Sequence, residues 1–521
     1  MADELSIKNS EQIERIRKAV LKLGGTVTVG DVMTETGLGY EETKSCLSAM
    51  MSSYEGTMRV SEKGEILYAF ARGGILRDQR SWWERNKKTL MKMIKTLFKV
   101  IIMLVLVIYF IIFMCILIAV LLSGKNRNSR IDLGWIFYAF WGRGSYDTGV
   151  KKDPLYTRVY NFVFGPEEPE IDPLEARTQC AQLIRAKNGI ITTEDWMMIS
   201  GQSYEKCESD LARFTAEFDG EAEITDNGTL IYVFENMVTT GKEKFNRNKA
   251  ELPVPAWEHL EQPRPLSGNT DANGGNGAVI GLNLFNLIMS LAILFLGPAF
   301  LKDPNNVYTE ADLEQINQMT FWLGIFPLIF SSLIFAGPLV RLPGNIRENR
   351  ERRERAVHNA VLSSIFKYKG AKSVTFNKIV NETNRCLLHN SLPNADHEEV
   401  SKAINSICGE IEGEADFNSA ETSYTFDNMN MRMDDAEQQR HIRKLDEKSI
   451  GRVVYSSDTE EQYKLDEQNE KADMDEFDKL LMGDKASSSE PEYGNYQDHS
   501  SQSSNNAGFE AFTRDYYSKK R

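Results

Sequence analysis

The side chains most able to carry chemistry, cysteine and histidine, are scattered along this chain without ligand spacing. No Cys-x-x-Cys pair occurs, so the sequence predicts neither a disulfide framework nor a metal cluster. His389 and His397 lie near Cys386 and Asp396, a grouping that we interpret as structural. No phosphate-binding glycine loop, zinc-protease helix or serine-hydrolase turn stands in a fitting context. We therefore predict no catalytic residue, no cofactor, no metal and no enzymatic activity.

Three polar residues inside an apolar segment form the other candidate site. Asn283, Asn286 and Ser290 follow each other at i, i+3 and i+7, which places them on one face of a helix. One interpretation is a polar path for an ion or a small solute, and the other is hydrogen bonding between membrane helices. The second is favoured, because no apolar segment contains a charged residue of the kind that pumps and proton-coupled carriers use.

The elements around these residues begin with three apolar segments, each long enough to cross ~30 Å of hydrocarbon. They cover 100–123, 278–301 and 319–340, and they make a lipid bilayer an expected partner. Arginines follow the third segment, while the loop Lys302–Gln318 is acidic. Membrane proteins carry an excess of basic residues on the cytoplasmic side. We therefore predict that this loop is outside, and that the chain before the second segment and after the third is cytoplasmic.

The first apolar segment has basic residues on both sides, and one crossing cannot place both ends inside. Either the soluble part before it lies on the opposite face of the membrane, or the chain bends back near the short apolar stretch Leu133–Trp141. The segment has no glycine or proline at which to bend. We therefore favour three simple spans and leave the second interpretation open.

A repeated soluble module flanks the first span. Gly24–Phe70 aligns without a gap on Asn188–Phe234, and the two stretches share glycines, Asp31/Asp195 and Tyr40/Tyr204. Each reads as helix, short strand, helix, helix and hairpin, with Asn227-Gly228 as a hairpin turn. That order is typical of a winged helix. We predict a first module at 1–75, a second at 155–240 and a diverged third at 350–428.

Two further segments are polar. Residues 250–277 are rich in proline, glycine and asparagine and are predicted to be a flexible linker. Residues 434–521 form an acidic tail with few aliphatic side chains, predicted to be disordered. The expected fold is thus mixed: an α-helical integral membrane protein with three spans, repeated winged-helix-like α+β modules and a disordered C-terminal tail.

The charge of the modules decides which partners they fit. The chain has a net charge of −14, and acidic residues outnumber basic ones in the second module. Such a surface repels phosphates, so we predict no nucleic-acid partner. The exposed start of the third helix in each module, Tyr40 with Glu41 and Tyr204 with Glu205, is the candidate docking surface for a protein partner. Both tyrosines could instead belong to the core.

Some stretches resemble a family of membrane proteins from cyanobacteria and chloroplasts. These are Val159–Gly165, the turn Asn188–Ile190, the linker around Trp257 and the segment Gly281–Leu287, within roughly residues 155–300. The family is loosely labelled as iron–sulfur cluster biosynthesis proteins. This chain has no cysteine motif that would support the label, and no functional residue carries over from the resemblance.

These patterns predict an integral membrane protein that presents acidic modules to an unidentified protein partner, as a scaffold or assembly factor and as a candidate homo-oligomer. The alternatives are a membrane-tethered transcription regulator, and a small channel or carrier that acts as an oligomer. The expected location is a bacterial inner (plasma) membrane, with the second and third modules in the cytoplasm.

Overall fold

The first module is built on a small sheet with three helices. The structure is a computed structural model, and it describes residues 2–54, 56–70, 82–123, 153–168, 172–240, 252–270, 274–301, 308–417, 421–443 and 452–486. The elements of the first module are α1 (Ala2–Leu23), β1 (Thr26–Val27), α2 (Val29–Thr36), α3 (Tyr40–Ser53), β2 (Gly56–Ser61) and β3 (Ile66–Phe70). The central strand is β3, which pairs antiparallel with both β1 and β2.

The first apolar segment is a single helix, α4 (Trp82–Ser123), and a short helix, α5 (Leu155–Phe164), precedes the second module. That module contains α6 (Glu175–Ala186), β4 (Ile190–Ile191), α7 (Thr193–Ser200), α8 (Tyr204–Glu217), β5 (Glu221–Ile224) and β6 (Leu230–Val233). Its order of elements equals that of the first module. The register also agrees, since Thr26 pairs with Ala69 and the aligned Ile190 pairs with Val233.

The two other apolar segments form a pair of long helices. The second is α9 (Gly277–Leu301), and the third begins as α10 (Glu310–Thr320), passes through a π-helical turn (Phe321–Ile325) and continues as α11 (Phe326–Lys367). Pro338 and Pro343 lie inside α11 without ending it. Within the described residues, three helices are thus long and apolar enough to cross a membrane, as the sequence predicts. Residues 310–318 of the predicted outside loop are helical.

The third module begins inside α11, so a single helix joins the third span to it. Its remaining elements are β7 (Val374–Thr375), α12 (Phe376–His389), α13 (His397–Ile411), β8 (Glu414–Asp416) and β9 (Ser423–Thr425), with β9 central. The stretch that breaks the alignment with the other modules lengthens α12 to 14 residues, where α2 and α7 have 8. Helix α14 (Asp427–Arg443) and strand β10 (Val453–Ser456) follow.

The hydrophobic cores show how the modules are joined. One continuous core includes Trp196 and Phe214 of the second module together with Ile365 and Ile404 of the third. The first module has its own core around Ile16, but its Met33 belongs to the larger one. A separate cluster around Phe110 and Phe162 joins α4 and α5 to α9 and α11.

The contacts of the first module bear on the two interpretations of the first apolar segment. Arg15 forms two hydrogen bonds with Asp172, of which one is 3.0 Å long, so the first and second modules touch. On the same side, Lys99 near the start of the span pairs with Glu167 at 3.1 Å. The chain before the first apolar segment and the chain around Glu167 after it thus lie on the same side of the helix bundle. The side of the membrane on which the first module lies stays a prediction. Residues 124–150, which include Leu133–Trp141, lie outside the described residues.

Two segments predicted to lack structure contain ordered parts. Residues 252–270 of the expected linker are held by side chains such as Asn349 of α11 and Asn390, which directly follows α12 and donates to the Trp257 carbonyl at 3.0 Å. Residues 434–443 belong to α14, and β10 pairs with β2 of the first module. Helix α15 (Thr459–Ala486) forms part of a separate compact unit that begins at residue 458. Parts of the expected tail between residues 434 and 486 therefore have regular structure, and residues 487–521 lie outside the described residues.

Candidate protein-docking site

The second helix of each of the first two modules begins with the same buried cap. Thr28 and Asp31 satisfy each other's backbone N–H groups at the start of α2, and Thr192 and Asp195 do so at the start of α7. This reciprocal arrangement stabilises a helix start, because two N–H groups that lack intrahelical partners are bonded. It also leaves a carboxylate that can accept further bonds.

In both modules that carboxylate binds an arginine from a later part of the chain. Arg185 of α6 donates to Asp31 Oδ1 at 2.6 Å, and Arg440 of α14 donates to Asp195 Oδ2 at 2.5 Å. Both aspartates and Arg440 are buried. The aligned positions therefore perform the same task, which is to attach one module to the segment that packs against it.

The environment of Asp195 favours its charged form. Burial on its own would raise the pKa of this carboxyl, but Arg440 and Lys187 outweigh the burial and lower the pKa below its ordinary value. The Lys187 ammonium lies 3.2 Å from Oδ1. A buried carboxylate held by two cations is stable as an ion near neutral pH, and removal of Arg440 would leave it with Lys187 alone.

The glycine that ends the second helix reaches the next module in the same way. Gly37 (φ +69°) and Gly201 (φ +62°) both adopt the left-handed conformation that ends a helix. A Cβ on Gly37 would meet Thr178 of α6 at 2.5 Å, and one on Gly201 would meet Asn359 of α11 at 2.5 Å. Each glycine thus allows its module to approach the first helix of the next one.

The two tyrosines predicted to dock a partner lie at these junctions. Tyr40 is half-buried and packs against the large core shared with the second module. The backbone N–H of Tyr204 donates to the Glu410 carboxylate of the third module at 2.9 Å, and Arg432 stacks over its ring. Burial raises the pKa of the Tyr204 hydroxyl, and Glu194 adds to that rise.

The neighbouring carboxylates are placed differently. Glu41 and Glu205 follow these tyrosines in α3 and α8, and both are exposed. The structure thus brings Tyr40 and Tyr204 into contacts within the chain, while the two glutamates remain on the surface. Negative charge at the first turn of a helix is also favourable for the helix itself, because it lies near the partial positive charge of the N-terminus.

Two elements beyond residue 426 cover the hairpins of the modules. Helix α14 holds the second hairpin through Asp435, which accepts from Asn227 at 3.0 Å, and through Arg443, which donates to Glu223 at 3.0 Å. Strand β10 extends the first module's sheet at β2. Sequence reasoning missed Arg185, Arg440 and both elements, although the identity of Asp31 and Asp195 was a signal that these positions have a shared task.

The predicted intramembrane residues are brought together at contacts between helices. The Asn283 amide donates to the Ser331 carbonyl of α11 at 2.9 Å, and the Asn286 amide donates to the Leu106 carbonyl of α4 at 2.9 Å. Ser290 donates within its own helix to Leu287 at 3.0 Å. All three are buried, and the amide oxygens of both asparagines have no hydrogen-bond partner among the described residues. The amides therefore fasten α9 to both other apolar helices.

The cysteines and histidines do not gather. In the described part of the chain no group of three or more metal-ligating side chains is present. Cys386 is half-buried and its thiol lies beside the Trp257 carbonyl, while His397 contacts the Phe376 ring. Burial raises the pKa of Cys207 to about 12, so that thiol is not a ready nucleophile at neutral pH.

Comparison with known proteins places the chain beside a plant protein. It is 24% identical over 378 residues to an uncharacterised chloroplastic protein of Arabidopsis thaliana, a match that covers 65% of this chain and 69% of the plant protein. This similarity fits the resemblance to membrane proteins of cyanobacteria and chloroplasts. No family model matches the chain. No solved structure matches it either.

Proposed function

We propose that this protein is a membrane-anchored scaffold or assembly factor, without enzymatic activity, whose winged-helix-like modules engage a protein partner. The observation that carries the proposal is that neighbouring residues at the start of the third helices have different surroundings. Tyr40 and Tyr204 are used to join modules, while Glu41 and Glu205 stay exposed at aligned positions. The result is one rigid array with two acidic helix starts on its surface.

The joined modules support this role because a scaffold must hold its docking surfaces at fixed positions. The second and third modules share one core, and the first is attached by ion pairs such as Arg185–Asp31. The third module continues directly from the last apolar helix. A partner that binds the array is thereby held at a set distance from the membrane. The family label of iron–sulfur cluster biosynthesis adds no residue to this proposal.

The test is site-specific photo-crosslinking in native membranes. A crosslinking amino acid is placed at position 41 or 205, and at the matched control position Ala176, an exposed residue of α6. We expect the same protein to be captured from 41 and 205 but not from 176. If both helices bind one partner, Glu205→Lys should also abolish capture from 41. Equal capture from all three positions, or none from 41 and 205, would contradict the proposal.

A membrane-tethered transcription regulator is the second candidate, and the contacts of the hairpins disfavour it. A winged helix that binds DNA needs a free recognition helix and hairpin with a basic surface. Here α14 occupies the second hairpin through Arg443 and Glu223, and β10 occupies the first. Retention of the full chain on DNA at low salt would revive this alternative.

A channel or carrier would have to use the polar residues of α9. Both asparagine amides already donate to backbone carbonyls of neighbouring helices, which fits a fastening role.

We propose that the bilayer is a bacterial inner membrane, with the second and third modules in the cytoplasm. The similarity to a chloroplastic plant protein is compatible with a membrane location.

A further inference from the structure

The hairpins of the three modules differ in what covers them. Strand β10 extends the sheet at the first hairpin, and Arg452 beside it lies 3.4 Å from Glu62. Helix α14 holds the second hairpin, where Arg443 pairs with Glu223. In the part of the chain that the structure describes, β8 of the third hairpin pairs with β9 alone, so its outer edge carries no further strand.

The outer edge of β8 presents backbone groups that a strand could bind. The Phe376 N–H donates to the Thr422 carbonyl at 2.9 Å, so Thr422 and, two residues later, Tyr424 direct their backbone groups toward β7. In an antiparallel sheet, two residues that stand opposite each other either exchange hydrogen bonds or turn their backbone groups away from each other. Ala415 stands opposite Tyr424, and its N–H and C=O therefore point outward from the hairpin.

The first module shows what an edge of this kind binds. Met58 of β2 holds the position of Ala415, since each stands opposite the tyrosine of its central strand. The Met58 carbonyl accepts from the Ser457 N–H at 2.8 Å, and the Met58 N–H donates to the Ser457 hydroxyl at 2.8 Å. The added strand is thus held by backbone groups of the edge, and an arginine next to it reaches a glutamate of the hairpin.

A groove of about 410 Å³ adjoins the third hairpin. Helix α13 forms one wall and begins with exposed His397, as the third helices of the other modules begin with Tyr40 and Tyr204. Those two tyrosines lie at junctions between modules, whereas His397 lies on an open surface. Phe376 and Phe417 line the groove as well, and Phe417 is 72% exposed. The groove therefore offers an apolar, partly aromatic wall to a side chain of a bound strand.

The charges around this edge decide which strand fits. Glu398 and Glu414 are exposed and form no ion pair among the described residues, and Asp416 is a further exposed carboxylate. If the β8 edges of two copies paired around Ala415, Glu414 of one copy would stand opposite Asp416 of the other. Like charges that stand directly opposite each other are unfavourable, which disfavours a second copy of the chain. A basic strand would instead supply the cation that an arginine supplies at each of the other two hairpins.

We propose that the outer edge of β8 binds an extended segment of a partner protein in which basic residues alternate with aromatic or β-branched ones. The segment pairs with Ala415 through backbone hydrogen bonds, as a strand added to a sheet edge does. Successive side chains of a strand point to opposite faces, so Glu414 and Asp416 lie on one face and Ala415 on the other, with Tyr424 and the groove. The basic side chains of the segment bind the two carboxylates, and an apolar one enters the groove. The site does not involve the acidic helix starts of the first two modules, so it stands or falls separately from the docking surface proposed above.

The test uses the full chain in detergent, with a photo-crosslinking amino acid in place of Phe417. The matched control has the same substitution at Ile224, the equivalent end of β5, which is 74% exposed but lies on the hairpin that α14 holds. The probe is a short biotinylated peptide in which arginine alternates with valine and tyrosine. We expect about tenfold stronger capture of this peptide at 417 than at 224, and no capture at 417 of the same peptide with glutamate in place of arginine.

Two variants separate strand pairing from plain charge attraction. Ala415→Pro removes the outward N–H without taking one from the hairpin, so it should abolish capture while the melting temperature shows that the module is folded. Glu414→Lys should weaken capture by about fivefold, whereas Glu221→Lys, the same change at the equivalent position of β5, should leave it intact. If Ala415→Pro does not fold, the comparison of the two lysine variants decides.

Three outcomes would overturn the proposal. The first is equal capture at 417 and 224, and the second is capture that Glu414→Lys leaves unchanged. The third is cross-linking between copies at 417 in the absence of peptide, which would show that a second copy of the chain covers this edge.

Discussion

Arg440 donates to Asp195 across 245 positions of sequence, and the two side chains are only 6% and 2% exposed. The same guanidinium also donates to the Ile190 carbonyl at 2.8 Å, beside the strand that begins the second module's sheet. One arginine therefore binds both the cap of α7 and the edge of β4. Because α14 follows the third module in sequence, this contact attaches the end of the third module to the second.

Removing that arginine should cost more than removing a surface one. We expect Arg440→Ala to destabilise the full chain by up to about 3–5 kcal/mol, because buried Asp195 keeps only Lys187 as a cation and the Ile190 carbonyl loses its donor. Arg443→Ala is the control: Arg443 pairs with Glu223 in a more exposed place, and its loss should cost no more than about 1 kcal/mol. Urea unfolding in detergent, followed by tryptophan fluorescence, measures both. Equal losses would contradict the role given to Arg440.

The junction between the second and third modules can be tested at a single glycine. Gly201→Ala would place a Cβ at 2.5 Å from the Asn359 side chain and 2.7 Å from Ala256, in addition to strain at φ +62°. Gly228→Ala has comparable strain at φ +84° but no atom within 4 Å. We expect Gly228→Ala to cost about 1–2 kcal/mol, and Gly201→Ala to cost a further ~1–3 kcal/mol from overpacking. Thermal unfolding of both variants measures the difference, and equal melting temperatures would refute the close approach.

Much of the fold could be predicted because its signals are local. The apolar lengths give the three candidate spans, and the alignment of Gly24–Phe70 with Asn188–Phe234 anticipates the matching registers. What could not be predicted is pairing between distant segments. Nothing near Arg440 in sequence shows that its partner is Asp195. The polar composition of the chain from residue 434 predicts disorder, but such a contact can hold it in a helix. The position of the first module could not be predicted for the same reason, because it depends on contacts between modules such as Arg15 with Asp172.

A buried histidine at the third module should make the chain sensitive to mild acid. Burial lowers the pKa of His358, and nearby Glu410, which binds the Tyr204 backbone, only partly opposes the shift. The unfolded chain therefore takes up a proton on this group first as pH falls. Its contribution to stability is present above the unfolded pKa of ~6.5 and is lost as pH drops below that value toward the folded pKa.

The matching variant is His358→Gln, which keeps a polar group of similar reach without a charge in this pH range. Melting temperatures of the two proteins between pH 7.5 and 5 should diverge, with a larger drop in the unmodified chain. The corresponding loss of unfolding free energy is up to about 1.4 kcal/mol for each unit of pKa difference. Parallel curves would show that His358 is not held in its neutral form.

The polar residues of α9 allow the scaffold and the channel to be separated. Asn286→Leu removes one hydrogen bond to the Leu106 carbonyl and should cost about 0.6 kcal/mol, at most ~1.7 kcal/mol. Asn283→Leu removes the bond to Ser331 and should have an effect of the same size. For a scaffold we expect no solute flux in liposomes from either variant or from the unmodified chain. Flux that the unmodified chain supports and both variants lose would favour the channel.

The contacts between the modules allow a direct test of the membrane topology. Single cysteines replace Glu41, Glu205 and Glu310, all exposed residues, in a chain without native cysteines. Because the first and second modules are in contact, positions 41 and 205 should be labelled by an impermeant maleimide from the same side of sealed vesicles. Position 310 lies between the two apolar helices α9 and α11 and should be labelled only from the opposite side. Labelling of 41 together with 310 would place the first module across the bilayer from the second, and the array joined through Asp31 and Arg185 could then not exist.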